Sequence, residues 1–421
     1  MTLLISKYSA QNFGMFLLMI VSSFSYSTMA GELTLDVEVG VESRWFMGSA
    51  SYGQENDDIS LRIQAELYKE WNKGKDSVEF IPWFIQDHRD STKTHGDIQE
   101  LAWIHVEENW ELRTGIRRVF WGVTESYHLV DIINQSDLSR SLDGEDKLGQ
   151  PMINISFVES WGIVDLFILP GHRKRIYPGE NGRPRSALII TQKDASYESK
   201  ENHRRVDAAI RWQLTLGDWE IALSHFSGTS REPSIIGINS SMELMTHYPV
   251  IDQTGLEAQY LDGDWIWKLE AITRSGQGSR YSAAVGGIEY TEIGVFNTST
   301  DLGWIAEYNY DDRMADAPHT REQDIVLGTR LTLNDAASSQ AIMAVGIDTQ
   351  TDEQFWSVEA SRRVFDNWLL SIDMYIFANT EEPPSREKVL AEIASNDRDN
   401  KNKLAPFARD DYIQFEIIRY F

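Results

Sequence analysis

The sequence contains no cysteine. This absence excludes disulfide bonds, a cysteine nucleophile, cysteine-ligated zinc and iron–sulfur clusters. Basic residues are few, because 39 Lys and Arg stand against 65 Asp and Glu and give a formal net charge of −26. Such an excess of acid repels the phosphate backbone, so nucleic acid is not expected as a partner.

The short motifs of common enzyme sites are also missing. The chain has no G-x-S-x-G, no P-loop, no H-E-x-x-H, and no G-x-G-x-x-G that follows a strand. The nine histidines are scattered, mostly in expected loops and strand ends, without the close pair that a metal site uses. We therefore expect no enzymatic activity, no metal and no cofactor, although an outer-membrane hydrolase with scattered catalytic residues is a weaker alternative.

Long apolar runs are absent except near the amino terminus. Lys7 precedes an apolar run at 13–24, and small residues at 28–30 provide a cleavage site. Residues 1–30 are therefore predicted to be a secretory signal peptide, which leaves 31–421 as the mature domain. A membrane anchor is the alternative, but the run is shorter than the ~20 residues that span a bilayer. The mature protein is expected to be either soluble or inserted in a membrane as strands.

What the sequence does contain is a period of two. Apolar and polar residues alternate over about ten positions in many stretches, which is typical of strands with one apolar and one polar face. The alternation is clear in stretches that begin near positions 33, 59, 206, 302 and 368. A soluble β-sandwich alternates in the same way, so this pattern does not identify the solvent.

The connections between the predicted strands distinguish a transmembrane barrel from a soluble sandwich. Eight short links alternate with nine mostly longer ones along the chain, which predicts a transmembrane up-and-down antiparallel β-barrel of about eighteen strands, with sixteen possible. An even number places both termini in the periplasm. The predicted short links lie near 72–76, 107–109, 159–160, 217–218, 262–264, 296–301, 334–338 and 366–367. The predicted long links are 47–57, 88–97, 121–150, 171–205, 228–249, 275–280, 311–322, 349–353 and 379–410.

The final strand and the tryptophans support a barrel in the outer membrane. Phe421, with Ile417 and Phe415 at alternating positions before it, resembles the carboxy-terminal signal of outer-membrane barrels. The barrel-assembly machinery is therefore an expected partner, together with outer-membrane lipid and lipopolysaccharide. Six tryptophans fall beside the short turns, where an interfacial girdle is expected. Pro82 lies within a predicted strand, so a bulge is expected there.

The link at 121–150 is unusual for an exterior loop, because it mixes aliphatic and charged residues. A loop that folds into the lumen must pack against the wall while presenting charge to the pore, which favours an inward position. The alternative is an external loop with a small core of its own. We expect the loop acids Glu125, Asp131 and Asp137 to face Arg113 and Arg117 across a constriction. The full set of candidate pore residues is Arg113, Arg117, Arg118, Glu125, Asp131, Asn134, Asp137 and Arg140.

A motif in this region resembles a known family. The pattern Arg-x-x-x-Trp-Gly followed by Ile-Asn-x-x-Asp is similar to one in an uncharacterised family of proteobacterial outer-membrane barrels, and porin-like and alginate-export-like barrels share the architecture. Here it consists of Arg117, Trp121, Gly122, Ile133, Asn134 and Asp137. The match covers about forty residues. It implies an outer-membrane channel or transport role without naming a solute.

Two further loops have distinctive patterns. The stretch 171–185 holds five basic residues, which pair with acids of 121–150, bind lipopolysaccharide phosphates or are simply solvated. The stretch 385–394 has a serine cap and a helical apolar face, and we expect a short helix there.

Together these patterns favour a porin-like outer-membrane channel for passive passage of small hydrophilic or anionic solutes, constricted by the 121–150 loop. The main alternative is a non-conducting barrel that serves an envelope export or lipid-transfer assembly. Homo-oligomerisation is possible and the sequence does not specify it.

Overall fold

Eighteen strands close into one antiparallel β-barrel. The computed structural model describes residues 33–395 and 401–421, so the predicted signal peptide at 1–30 lies outside the described residues. Each barrel strand pairs with the next one along the chain, and β1 pairs with β21 to close the cylinder. The predicted up-and-down barrel and the count of eighteen strands are confirmed.

The strands are numbered in chain order. The barrel strands are β1 (Thr34–Phe46), β2 (Asp57–Trp71), β3 (Asp76–Asp87), β4 (His95–Val106), β5 (Trp110–Arg117), β6 (Gln150–Glu159), β7 (Gly162–Pro170), β9 (Val206–Leu216), β10 (Trp219–Thr229), β13 (Val250–Asp262), β14 (Trp265–Ser275), β15 (Tyr281–Glu292), β16 (Asp301–Asp311), β17 (Asp324–Thr332), β18 (Gln340–Asp348), β19 (Gln354–Val364), β20 (Trp368–Ala378) and β21 (Tyr412–Tyr420). Three more strands lie in loops: β8 (Ile190–Tyr197), β11 (Ser234–Ile238) and β12 (Leu244–Tyr248).

Short and long links alternate as predicted. Links of two to eight residues, such as 217–218 and 263–264, join strands at one end of the barrel. The longest links, 118–149, 171–205 and 379–411, all lie at the other end. The predicted irregularity is also present, because the register between β3 and β4 shifts at Pro82.

The two faces of the strands follow the period of two. In β1, Val41 and Trp45 are exposed on the outside while Arg44 is buried inside the barrel. In β21, Phe415 and Ile417 are likewise exposed on the outside. The outer surface is thus an apolar band and the lumen is polar, which is the arrangement that a barrel surrounded by lipid requires.

The long loops carry structure that the sequence patterns did not reveal. Strands β8, β11 and β12 form a three-stranded sheet, in which β12 pairs with β8 in parallel and with β11 in antiparallel orientation. Tyr248 of β12 is buried there and stacks on Tyr197 with 5.2 Å between ring centroids. This sheet links the β7–β9 and β10–β13 loops into one unit at the barrel mouth.

The predicted helix in the last loop is present. It spans Arg386–Ser395, and the Ser385 hydroxyl accepts a hydrogen bond from the Lys388 N–H, as an N-cap does. In the described part of the chain, no helix has both the length and the apolar character that crossing a membrane would need.

The terminal residue is part of the seam that closes the barrel. The Phe421 N–H donates to the Val37 carbonyl at 2.9 Å, and the Arg419 guanidinium lies 4.5 Å from the centroid of the Phe421 ring. We expect Phe421→Asp to reduce the amount of assembled barrel, because a charged end weakens both the seam and the proposed assembly signal. The measurement is the heat-modifiable band of outer-membrane fractions on a gel.

Phe365→Asp provides the matched control for this change. Phe365 is 85% exposed in the β19–β20 turn, so the same substitution there adds the same charge away from the seam. Equal levels of folded barrel for the two variants would contradict a role of the terminal residue in assembly.

Candidate functional site: the lumen and the inward segment

The long link between β5 and β6 folds into the barrel. We call residues 118–149 the inward segment. Its aliphatic and aromatic side chains are buried against inward-facing residues of strands β6 to β15, where they form the main apolar cluster of the described chain. The segment supplies Trp121, Leu129, Val130, Ile132 and Ile133 to this cluster, and the wall supplies Phe167, Phe226, Ile251, Ile272, Val285 and others. Burial of this apolar surface holds the segment on one side of the lumen.

A wall glutamate binds the tip of the inward segment. The carboxylate of Glu270 in β14 is fully buried and accepts hydrogen bonds from the N–H groups of Val123 at 2.7 Å and Thr124 at 3.0 Å. The Thr124 hydroxyl and the Val130 N–H donate to the same carboxylate. Several donors on one anion form charge-assisted bonds, which are stronger than neutral ones.

Two further glutamates of the wall act in the same way. Glu307 in β16 accepts from the N–H groups of Glu125 at 2.9 Å and Ser126 at 2.8 Å. Glu257 in β13 accepts from the Gly122 N–H at 3.2 Å. Backbone donors that the segment would otherwise bury without partners are therefore bound by carboxylates of three different strands.

Glycine is required at position 122. Its φ is +135°, which side chains disfavour, and a Cβ there would lie 2.8 Å from the Oε1 atom of Glu270. The neighbouring Trp121 is buried and packs edge-on against Phe167, with 5.7 Å between ring centroids. The Trp-Gly pair thus fixes the point at which the segment meets the wall.

Asn134 holds together the two ends of the inward segment. Its side-chain oxygen accepts from the Val119 N–H, and its amide donates to the carbonyls of Arg117 at 2.8 Å and Leu148 at 2.9 Å. Asp137 is also fully buried, with 3.0 Å between its Oδ2 and the His95 Nε2. Both predicted pore residues are thus enclosed within the base of the segment.

Glu125 forms ion pairs with the far wall. Its carboxylate lies 2.7 Å from the Nζ of Lys268 and 2.7 Å from the Nη2 of Arg330. Burial raises the pKa of Glu125, but these two cations outweigh that effect and bring the pKa below its usual value, so the group stays ionised. Lys268 and Arg330 also both bind Glu289, which makes a four-residue network across three strands.

The expected pairing between loop acids and wall arginines differs from the structure. Arg113 and Arg117 do point into the lumen, opposite the buried Asn154 and Gln150 of β6. They pair with acids of their own wall region, Glu111 for Arg113 and Glu100 for Arg117.

The remaining candidates make local contacts. Asp131 is paired with Lys147 inside the inward segment at 3.2 Å, and burial raises its pKa despite this lysine. The Arg118 N–H donates to the Oε1 of Glu100 at 2.7 Å, at the point where β5 ends. The contacts of Asp131 and Arg118 are therefore local, and neither contact crosses the lumen.

Arg140 lies at the edge of the open part of the lumen. Its guanidinium pairs with Asp146 at 2.8 Å and covers the Trp83 ring at 4.7 Å, and its carbonyl accepts from Arg44. This part of the lumen contains a cavity of about 280 Å³, on the side of the barrel opposite the main apolar cluster. Its walls come from residues 140–146 and from strands β1, β2, β3, β19, β20 and β21.

The lining of this cavity is charged and mainly acidic. Its charged residues are six acids, Glu42, Asp143, Asp146, Glu359, Asp373 and Glu416, and three arginines, Arg44, Arg62 and Arg140. Arg62 pairs with Glu416 at 3.3 Å, whereas Glu359 and Asp373 contact the neutral Tyr375 and Gln414. The arrangement can hold water and hydrated ions, and it can offer both signs of charge to a polar solute.

Sequence reasoning missed the wall residues that bind the inward segment. These are Glu257, Glu270, Glu307, Lys268 and Arg330. Their one sequence signal is a pair of glutamates at facing positions of adjacent strands, since Glu257 lies opposite Glu270. Like charges at such positions are unfavourable unless donors bind them, so a facing pair indicates a bound segment or a cation.

The basic loop pairs mainly with neighbours at the barrel mouth. Arg173 binds Asp97 at 2.7 Å, and the buried Arg183 binds Asp410 at 2.7 Å together with backbone carbonyls of two other loops. Arg173 and Arg175 also contact the inward segment, through the Gly149 carbonyl and the Gln135 side chain respectively. These contacts tie the long loops together.

Comparisons with solved structures agree with this architecture. Similar structures include a BenF-like porin from Pseudomonas fluorescens Pf-5 (TM-score 0.52, 11% identity), Pseudomonas aeruginosa OpdO (0.51, 10%) and Pseudomonas aeruginosa OccK2 (OpdF) in complex with glucuronate (0.50, 11%). Each alignment covers 93% of this chain and 98%, 96% and 97% of the respective neighbour. At these identities the likeness shows a shared fold. No protein-family model matches the sequence, and no curated protein matches it.

The hydrogen bonds of the segment tip can be tested by substitution. We expect Glu270→Ala combined with Glu307→Ala to release the tip, because each lost charge-assisted hydrogen bond removes roughly 1.5–3 kcal/mol. The purified variant should show a larger and noisier single-channel conductance than the wild type in planar bilayers, and a lower unfolding temperature. Glu292→Ala, at an exposed position in β15, is the control. Conductance equal to that of the control would show that these glutamates do not hold the segment.

Proposed function

We propose that this protein is an outer-membrane channel for passive passage of small hydrophilic solutes, narrowed by the inward segment. The observation that carries the proposal is the combination of a closed barrel with an apolar exterior and a lumen that is divided in two. One side is filled by the segment, and the other side is a charged cavity of about 280 Å³. A barrel of eighteen strands is wide enough to leave an aqueous path beside such a segment.

The proposed orientation follows from the ends of the barrel. The first residues of β1 and the last of β21 meet at the end that has the short turns, where Val37 and Phe421 exchange hydrogen bonds. We place this end in the periplasm, because a chain exported with a signal peptide begins there and outer-membrane barrels have short periplasmic turns. The long loops then face outward, in contact with lipopolysaccharide.

The charge of the cavity supports a mild preference for cations. Six acids face three arginines, and the pairs that these arginines form leave Glu359 and Asp373 without an ion-pair partner among the described residues. Arg44, Arg62 and Arg140 are local positions at which a solute carboxylate can exchange with the existing partner. The structural neighbour solved with glucuronate makes that sugar acid the first solute to test.

A non-conducting barrel in an export or lipid-transfer assembly is the alternative from another class. A lipid conduit needs an apolar lining, whereas the cavity described above is lined mainly by charged groups.

The proposed constriction includes Arg113, Arg117 and Arg118 on the wall. It also includes Glu125, Asp131, Asn134, Asp137 and Arg140 of the segment, several of which act by holding the segment in place.

Reversal potentials in a salt gradient test the channel and its selectivity together. The wild type should conduct and prefer cations, and Glu359→Gln with Asp373→Asn should shift the reversal potential toward zero because two unpaired charges leave the path. Arg113→Ala with Arg117→Ala should shift it the opposite way, since Glu111 and Glu100 then lose their partners. Block by glucuronate should also weaken in the arginine variant.

Glu55→Gln with Glu201→Gln is the matched control for the acid pair. It removes two charges from exposed loop positions and should leave the reversal potential unchanged. Absence of conductance in the wild type would favour the non-conducting barrel. Equal shifts for the control and the cavity variant would mean that the cavity is not the conducting path.

Cysteine labelling tests the orientation without background, because the chain has no native cysteine. We expect Lys200→Cys and Glu382→Cys, in the long loops, to react in intact cells with an impermeant maleimide. Ala336→Cys, in the β17–β18 turn, should react only after the cells are opened. Labelling of Ala336→Cys in intact cells would reverse the proposed orientation.

A further inference from the structure

A cluster of buried carboxylates lies at the mouth of the barrel, away from the proposed path. It contains Glu322 near the end of the β16–β17 loop, Asp324 at the start of β17 and Asp348 at the end of β18. One carboxylate oxygen from each residue lies within 4.8 Å of one from each of the other two, and each residue is less than a tenth exposed. Asp324 and Asp348 face each other directly in the sheet register, where like charges repel.

A fourth carboxylate adds to this repulsion. Glu353, at the end of the β18–β19 turn, is 2% exposed and close enough to Asp348 and Glu322 for their charges to raise its pKa, in addition to the larger effect of burial. Two cations are near the four acids, namely Lys403 at 3.1 Å from Glu322, and Arg321, whose charge acts on Asp324. Two negative charges therefore remain in excess in a site that excludes water, which is costly without a further partner.

The second observation is a set of buried oxygen atoms that lack hydrogen-bond partners. Among the described residues, the Oε2 of Glu322, the Oδ2 of Asp324 and the Oε1 of Glu353 are buried and accept no hydrogen bond. The other oxygens are held in place, because the Oε2 of Glu353 accepts from the Leu404 N–H and the Oδ1 of Asp348 accepts from two backbone N–H groups. Fixed carboxylates with free, converging oxygens are the ligands that a hard cation uses.

We propose that Glu322, Asp324 and Asp348 form a site for one Ca²⁺ ion, with the carboxylate of Glu353 beside it. Calcium is favoured over magnesium because it accepts six to eight oxygen ligands in flexible geometry, which suits several carboxylates and nearby carbonyl groups. The ion neutralises the excess charge and satisfies the unpartnered oxygens.

The position of the site gives it a structural role. Glu322 lies in the β16–β17 loop and Glu353 in the β18–β19 turn. Glu353 also accepts a hydrogen bond from the Leu404 N–H, and Glu322 pairs with Lys403, so both bind the β20–β21 loop. Lys403 further donates to the carbonyls of Ala317 and His319. Calcium would thus fasten the β20–β21 loop and the β16–β17 loop to the rim, independently of whether the lumen conducts.

Calorimetry and unfolding measurements test the site directly. The protein is refolded in detergent from inclusion bodies, so that lipopolysaccharide is absent, then treated with EDTA and titrated with CaCl₂. We expect one Ca²⁺ per chain and weaker binding of MgCl₂. Asp324→Asn with Asp348→Asn should lower the calcium affinity at least tenfold, because it removes two of the proposed ligands.

Thermal unfolding in EDTA and in CaCl₂ separates loss of the site from loss of the fold. Calcium should raise the unfolding temperature of the wild type and leave that of the double variant unchanged. In EDTA the double variant should be at least as stable as the wild type, since the amides remove the repulsion. If the double variant does not refold, Asp324→Asn alone provides the same comparison.

Glu381→Gln with Glu382→Gln is the control, because it removes two exposed acids from the β20–β21 loop. This variant should bind calcium as the wild type does. No calcium uptake by the wild type, or equal affinity in the wild type and the Asp324 variants, would overturn the proposal and leave protonated carboxylates as the explanation.

Discussion

The rest of the structure depends on one constraint, which is that backbone N–H groups buried inside a barrel need acceptors. Strand pairing satisfies the wall, but the inward segment is irregular and brings its own unpaired donors into the lumen. Glu257, Glu270 and Glu307 supply the missing acceptors from three strands of the far wall. These inward-facing acids therefore have a structural role, whatever their effect on solutes. Their positions in the wall determine where the segment lies.

This constraint also explains why the lumen is asymmetric. The apolar side chains of the segment can be buried only against an apolar part of the wall, and strands β6 to β15 provide it. The opposite wall, from β19 through β21 to β3, keeps its charged residues and borders the remaining space. Selectivity in the proposed channel is thus a property of the part of the wall that the segment leaves uncovered, which includes Arg113 and Arg117 of β5, and of residues 140–146.

The sequence specified the barrel well and the site only in part. Strand number, link lengths, the irregularity at Pro82 and the capped helix follow from period, turn residues and caps, which are local signals. Ion pairing is not local: Glu125 meets Lys268 and Arg330, which are far away in the sequence. Period two tells which face a residue occupies but not what lies across the lumen, so it did not predict that Arg113 and Arg117 pair with Glu111 and Glu100. The alternation of apolar and polar residues did not predict the sheet of β8, β11 and β12, because its strands are short and two of them pair in parallel.

The motif residues of the inward segment have roles that are internal to it. Trp121 packs on the wall, Gly122 permits the close approach to Glu270, and Asn134 joins the two ends of the segment. The described cavity lining includes none of these three residues. These three residues therefore specify how the segment is fastened inside the barrel, while the residues that line the cavity are different ones. The cavity lining can for this reason change without disturbing the contacts that hold the segment on the wall.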